Sequence, residues 1–286
     1  GVGATATFVP TSQGGLILIA GNGSLKAYDP TQNLANPPNI WTSSLSNRQV
    51  PAIGDIDGDG SLDLVVPLSS GYALLDPTTG SPKGPTLDLG SCFPQRLQLV
   101  DVDGQPGLEV VALDATSTAS PSAGVRVMGW QSGRLNLFWS TLYSSSVAFD
   151  YDVAGILDLV KDLDGDGSQE LVYSVWSRTG ASWTTRVVDA ATGASIASLP
   201  GKVVQAVADI DGDGKAELLT KVTSRADGGP TYATLEAYDF DSRPSGFVAK
   251  SWSVTQAHLL RQALRSTAQA AVDLLQPVIG DFEPRC

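Results

Sequence analysis

Short apolar runs separated by Gly-, Pro-, Asp- and Ser-rich turns follow one another along most of the chain, and this is the pattern of β-strands in hairpins. Gln49 to Ile56 reads as one strand, Leu62 to Leu68 as a second, Tyr72 to Asp76 as a third and Thr86 to Leu89 as a fourth. The order recurs in Arg96 to Val102, Leu108 to Leu113, Val125 to Trp130 and Leu135 to Trp139, and begins again at Ile156 and at Val203. Ahead of these, Ala4 to Pro10, Leu16 to Ala20, Leu25 to Tyr28 and Ile40 to Trp41 make a first group. One stretch breaks the pattern. Leu260, Leu264, Ala268, Ala271 and Leu275 share a helical face, so Thr255 to Leu275 is expected to be a helical insertion.

The turn between the first and second strand of each later group carries a motif, Asp-x-Asp-x-Asp-Gly-x-x-Asp/Glu. It stands at Asp55 to Asp63, Asp162 to Glu170 and Asp209 to Glu217, with an altered copy at Asp101 to Glu109. Alternate carboxylates on a tight loop converge on one point, and an oxygen-only cage suits a hard cation, Ca²⁺ before Mg²⁺. The candidate ligands are Asp55, Asp57, Asp59 and Asp63; Asp162, Asp164, Asp166 and Glu170; and Asp209, Asp211, Asp213 and Glu217. Ser61, Ser168 and Lys215, at the seventh position, can offer only a backbone carbonyl. Glycines at the fourth and sixth positions let the backbone turn round the ion without a Cβ penalty. The altered copy keeps Asp101, Asp103 and Glu109, with Gln105 in place of the third Asp, Pro106 in place of Gly and Gly107 at the seventh position. Weaker binding, or none, is expected there. An EF-hand requires a bidentate Glu at the twelfth loop position; Val66, Ala112, Tyr173 and Thr220 stand there instead. Metal-free acidic hairpin turns are the alternative, and three full copies in register, each with its closing acid, weigh against it.

The loop starts lie 46, 61 and 47 residues apart, and Gly280-Asp281-Phe282 restarts the motif 72 residues after Asp209. Periods of this size with four short strands each point to an all-β β-propeller, with the acidic loops joining strands one and two of each blade. The chain then holds about five blades and the opening strand of a sixth, because Pro277 to Phe282 copies Pro51 to Ile56. Either it is part of a longer propeller or its last strand closes the ring; the first is favoured.

The Asp-x-Asp-Gly-Asp-Gly loops leading into Leu-Val strands resemble the FG-GAP and VCBS repeats of integrin α-subunit propellers and of bacterial surface proteins. The resemblance covers most of the chain and implies a calcium-binding propeller used in adhesion. A weaker likeness links Asp76-Pro77-Thr78-Thr79-Gly80, Asp189-Ala190-Ala191-Thr192-Gly193 and Asp29-Pro30-Thr31 to turns of quinoprotein-type propellers, with Trp41 alone placed as a docking tryptophan. Hairpin-turn chemistry accounts for these turns without a cofactor.

Formal charge is −12, with no basic stripe, which disfavours nucleic acid or an anionic membrane as partner. Weak calcium modules work at the millimolar calcium found outside cells, so a secreted or cell-surface location is expected. Cys92 precedes a first strand and Cys286 follows one. Strands of about 17 to 20 Å set the two apart, beyond the roughly 7 Å Cα separation that a disulfide spans, so no bridge between them is expected. Asn22-Gly23-Ser24 matches a glycosylation sequon but is first a hairpin turn. The single histidine, His258, lies in the helical stretch, and no nucleophile elbow, P-loop or dinucleotide fingerprint appears.

A non-enzymatic recognition or adhesion module is therefore expected, with a carbohydrate-active propeller, lectin or lyase, as the alternative. The six tryptophans, Trp41, Trp130, Trp139, Trp176, Trp183 and Trp252, are read chiefly as packing between blades. Strands alternate in direction, so the one-two and three-four loops share one end of a blade. Long insertions, Asp114 to Gly124, Ser144 to Gly155, Thr223 to Thr231 and the helical stretch Thr255 to Leu275, fall at the other end, where a protein or glycan partner is expected to dock. Asp150, Tyr151, Asp152, Arg225 and Asp227 are the candidate contacts there.

Overall fold

The computed structural model describes residues 5–10, 15–21, 24–31, 38–45, 51–90, 94–115, 122–144, 151–154, 159–209, 213–222, 234–240 and 247–255. Among them every regular element is a strand, and the strands form antiparallel sheets in which, apart from one split first strand, consecutive strands are neighbours. Two compact units divide the chain, Gly1–Phe149 and Asp150–Cys286.

The first unit holds three sheets. Strands β1 (Thr5–Val9), β2 (Leu16–Gly21), β3 (Ser24–Tyr28) and β4 (Asn39–Ser43) make one. Strands β5 (Ala52–Gly54), β6 (Asp63–Pro67), β7 (Gly71–Leu75) and β8 (Leu87–Asp88) make the next. The third comprises β9 (Pro94–Val100), β10 (Glu109–Asp114), β11 (Ser122–Gln131) and β12 (Arg134–Ser144). In the second unit β13 (Tyr151–Ala154) and β14 (Val160–Lys161) both pair with β15 (Glu170–Ser177), followed by β16 (Ser182–Asp189) and β17 (Ser195–Pro200). Strands β18 (Lys202–Ala208), β19 (Glu217–Val222), β20 (Thr234–Phe240) and β21 (Phe247–Thr255) complete it.

Burial explains why the second strand of each acidic-loop sheet is a continuous apolar run rather than an alternating one. All residues of β6 and β10 are buried, because successive side chains point to opposite faces and both faces are covered. Leu64 and Val66 pack with Val9, Leu25 and Ala27 of the preceding sheet. Val65, between them, packs with Val110, Ala112 and Met128 of the following one. The fourth strands lie at one edge of each sheet, and β12 and β17 are half exposed. Register slips recur between the third and fourth strands, at Ala27/Tyr28, Val127/Met128, Val187/Val188 and Glu236/Tyr238. The repeat is thus structural as well as sequential.

Tryptophans fill the seams between sheets. The Trp41 ring lies against Gly80, where a Cβ would stand 2.6 Å from it, and its indole N–H donates to the Pro77 carbonyl at 3.0 Å. This docks β4 onto the turn after β7. Gly80 has φ +71°, a conformation that favours glycine. That turn and its counterpart are built alike: Thr78 and Thr192 each donate backbone N–H and hydroxyl to the Asp76 and Asp189 carboxylates. Trp130 packs in the seam between the second and third sheets. Trp176 and Trp183, cross-strand partners with centroids 5.6 Å apart, cluster with Val203 of the next sheet.

Two expectations need revision. Ser144 to Gly155 is not one long loop: Ser144 ends β12, and Tyr151 and Asp152 lie in β13, paired with Ser177 and Trp176. Ala154 and Val160 are six positions apart while their partners Ser174 and Leu171 are three apart. The first strand of that sheet therefore absorbs a three-residue insertion, which a period-two reading takes for a loop. Thr255, expected to open a helix, instead ends β21, where it pairs with Thr234. The rest of the helical stretch, both cysteines, His258 and the Pro277 to Phe282 copy lie outside the described residues. Among the described residues no helix is long and apolar enough to cross a membrane.

Candidate metal centres

Each acidic loop is a short bridge between a first and a second strand, and its side chains fold its own backbone. In the first loop both Asp55 oxygens accept backbone N–H groups, Oδ1 from Gly58 at 2.8 Å and Oδ2 from Gly60 at 2.9 Å. The loop at 162 repeats this, with Gly165 at 2.7 Å and Gly167 at 3.0 Å on Asp162. In the last loop Gly214 donates to Asp209 Oδ2 at 3.0 Å. In the altered copy only the first of these bonds has a donor. Gly104 reaches Asp101 at 2.7 Å, while Pro106 has no N–H to give.

The closing acid is the second fixed point. Asp63, Glu109, Glu170 and Glu217 are all buried, and their loops' second residues Ile56, Val102 and Leu163 are buried beside them. Their backbone N–H groups donate to Asp63 Oδ2, Glu109 Oε2 and Glu170 Oε2 at 2.8 to 2.9 Å. One carboxylate oxygen of Asp63, Glu109 and Glu170 is thereby committed to the loop, while the other oxygen can face a cation.

Three triads result. One oxygen from each of Asp55, Asp57 and Asp63 lies within 4.8 Å of the others, and the same holds for Asp101, Asp103 and Glu109 and for Asp162, Asp164 and Glu170. The altered copy gathers its three acids as the full loops do, so losing one backbone bond has not undone it. At 209 the loop is described only in part: Asp209, Asp213, Lys215 and Glu217 are placed, and Asp211 lies outside the described residues. The fifth-position carboxylates stay out of the triads. Asp59 and Asp166 are exposed and accept from Ser61 and Ser168 N–H, each at 2.7 Å. Asp213 likewise accepts from Lys215 N–H at 2.9 Å, and Gln105 donates its own N–H to Asp103 at 2.9 Å. Gly107, at φ +103°, sits where a Cβ would meet the Ile56 carbonyl at 2.6 Å.

Loops within a unit are tied together. Leu108 N–H donates to the Asp55 carbonyl at 2.8 Å in the first unit, and Ala216 N–H to the Leu163 carbonyl at 3.3 Å in the second. The eighth position of one loop thus holds the start of the one before it.

Electrostatics separate the loops. Burial, reinforced by the neighbouring aspartates, pushes the Glu109 and Glu170 carboxyls up to about 7. Ionising them without a cation is costly. A donor set of hard carboxylate oxygens, one of them buried and electrostatically starved, fits a divalent oxygen-seeking ion. In the first loop burial also raises Asp63, but Lys83 opposes it. The Lys83 ammonium lies 2.6 Å from Asp57 Oδ2, 2.6 Å from Asp63 Oδ1 and 3.2 Å from Asp59 Oδ2. Reading the motif alone misses this lysine, because it stands in the three-four turn, 20 residues beyond Asp63.

Among the partner-face candidates, Tyr151 and Asp152 lie on β13, and Asp150, Arg225 and Asp227 lie outside the described residues.

No protein-family model matches the chain, and no curated protein sequence does. Among solved structures it is similar to the Vibrio cholerae biofilm matrix protein Bap1, at TM-score 0.51 and 20% identity over 88% of this chain and 38% of Bap1. A lectin of Agrocybe aegerita specific for non-reducing terminal N-acetylglucosamine follows at TM-score 0.46 and 12% identity, covering 88% of this chain and 65% of the lectin. The rhamnogalacturonan lyase of Bacillus licheniformis stands at 0.38 and 13%, covering 88% and 52%. The chain thus spans less than two thirds of each of these proteins. At such identities the Bap1 likeness concerns the fold, and the other two are more distant still.

Proposed function

We propose that the chain is a calcium-stabilised, non-enzymatic recognition or adhesion module of a secreted or cell-surface protein, its sheets being blades of a β-propeller of the FG-GAP/VCBS kind. The observation that carries this reading is the thrice-built triad, in which two loop aspartates and one buried closing acid converge between strands one and two. Repetition of the same acidic turn in successive sheets fits a scaffold that must stay rigid at extracellular calcium. The fold likeness to a biofilm matrix protein accords with work outside the cell.

With a dissociation constant near 10⁻⁴ M, millimolar calcium stabilises each site by roughly 1.4 kcal/mol. Melting curves in calcium and in EDTA, for the native chain and for Asp164→Asn, test the metal half of the reading. EDTA should lower Tm, and the substitution should shrink that response; identical curves throughout would remove calcium from the account. A glycan array run beside a polysaccharide-degradation assay tests the rest. Binding without turnover supports a recognition module, and release of sugar products replaces it with a carbohydrate-active enzyme.

A further inference from the structure

The loop at 55 differs from its repeats in two ways that meet at one point. Its closing acid is Asp63, where the other loops have Glu109, Glu170 and Glu217. The shorter side chain retracts the carboxylate by about one carbon–carbon bond and leaves room in front of it. Into that room comes Lys83. The lysine stands seven residues after Asp76, which opens the three-four turn of this sheet; seven residues after Asp189, its counterpart, stands the exposed Ile196. The backbone fixes the origin of the lysine, since Lys83 N–H donates to the Leu74 carbonyl at 2.9 Å. Its ammonium then bonds carboxylates from the third, fifth and ninth positions of the loop.

We propose that the Lys83 ammonium is the resident cation of the loop at 55, so that this loop is held together without metal while its repeats take calcium. The proposal rests on the reading of those repeats as calcium sites, and concerns which of them are open.

Three physical points carry it. An ammonium is a compact point charge with three donors, and here it finds three carboxylates at hydrogen-bonding distance. Asp63 is wholly buried and the lysine is only 21% exposed, so water competes poorly for either charge. A tethered group also competes at an effective concentration of about millimolar or above, comparable with extracellular calcium itself. Calcium affinity in oxygen cages follows the net ligand charge, and Lys83 cancels one carboxylate of this loop. No Lys or Arg among the described residues is paired with the triads at 101 or 162 in this way.

Native mass spectrometry of the full chain, sprayed from calcium-containing buffer, counts bound ions directly. Asp57→Asn should leave the native count unchanged, whereas Asp164→Asn should lower it by one. Lys83→Met should raise the count by one, and adding Asp57→Asn to Lys83→Met should remove the gained ion. Loss of an ion on Asp57→Asn in the native background overturns the proposal, and so does a Lys83→Met chain that folds by circular dichroism and gains none. If Lys83→Met does not fold, the Asp57→Asn comparison alone decides. Should the native chain bind no calcium, the calcium reading and this inference fall together; if Asp164→Asn and Asp57→Asn each cost one ion, only this inference falls.

Discussion

Replacing Glu170 with Gln should stabilise the chain without calcium and lose most of that effect with it. The Glu170 carboxyl is buried, pushed up to about 7 from an ordinary 4.5, and accepts Leu163 N–H at 2.8 Å. Gln keeps that acceptor and adds an amide N–H₂ that can face the Asp162 and Asp164 carboxylates, while removing the buried charge. At about 1.4 kcal/mol per pKa unit, ionising Glu170 in the folded, metal-free chain costs on the order of 3 kcal/mol above neutral pH. Glu170→Gln should therefore stabilise the chain in EDTA at pH 8 by about 2 to 3 kcal/mol. At roughly 2 °C per kcal/mol for a chain of this length, Tm should rise by about 4 to 6 °C. In millimolar calcium most of that gain disappears, since the amide cannot replace an anionic ligand and the roughly 1.4 kcal/mol of the site is lost, leaving an advantage of about 1 kcal/mol.

The pH profile supplies an independent arm. A carboxyl whose folded pKa is raised binds its proton more tightly folded than unfolded. Native stability in EDTA is then highest below the unfolded pKa near 4.5 and falls as pH rises through about 7. Glu109 follows the same course, so Glu170→Gln should remove about half of that decline, and millimolar calcium should offset about half of it. Differential scanning calorimetry at pH 5, 6, 7 and 8, with and without calcium, measures all of this. A Glu170→Gln chain that is less stable than native in EDTA at pH 8 would refute the reasoning, because it would mean that the buried carboxylate is not paying a charge penalty there.

Three further outcomes rest on other parts of the fold. Arg126 and Asp114 form a buried ion pair at 2.5 Å in the third sheet; Arg126→Met should cost about 3 to 5 kcal/mol in urea unfolding by stranding the carboxylate, and adding Asp114→Asn should recover most of it. The Ser174 hydroxyl accepts Val204 N–H at 2.9 Å and bonds Thr185, which donates to the Lys202 carbonyl; Ser174→Ala should cost about 1 to 3 kcal/mol and speed amide exchange at Val204. Gly80→Ala should drive a methyl into the Trp41 ring at a φ that disfavours alanine, lowering Tm and red-shifting tryptophan emission, whereas Gly60→Ala, with nothing within 4 Å, should keep the emission unchanged.

The sheets were legible in the sequence because each is closed by local chemistry. Strand pairs are hairpins, so their register is set by turns whose residues adjoin them, and the buried second strands announce themselves as unbroken apolar runs. Strand one of the fourth sheet is hard to see in the sequence for the opposite reason. Its two halves, β13 and β14, pair with one partner strand across an insertion, and alternation broken in the middle looks like a loop. The recurrent slip between third and fourth strands left no mark either, since a bulge asks for one extra residue and not for a particular one.

The acidic loops show where a motif stops being enough. The spacing of Asp55, Asp57, Asp59 and Asp63 is the same as in the loop at 162, and spacing alone assigns both the same ion. What separates them is a charge delivered from the neighbouring turn, and sequence distance hides it: 20 residues lie between Asp63 and Lys83, yet their side chains are 2.6 Å apart. Alternating strand direction does put the one-two and three-four turns at one end of a sheet, so a basic residue in the second turn can reach acids in the first, as Lys83 does and Arg134 does not. A carboxylate cage in a repeat protein is therefore read correctly only together with the turn that stands beside it.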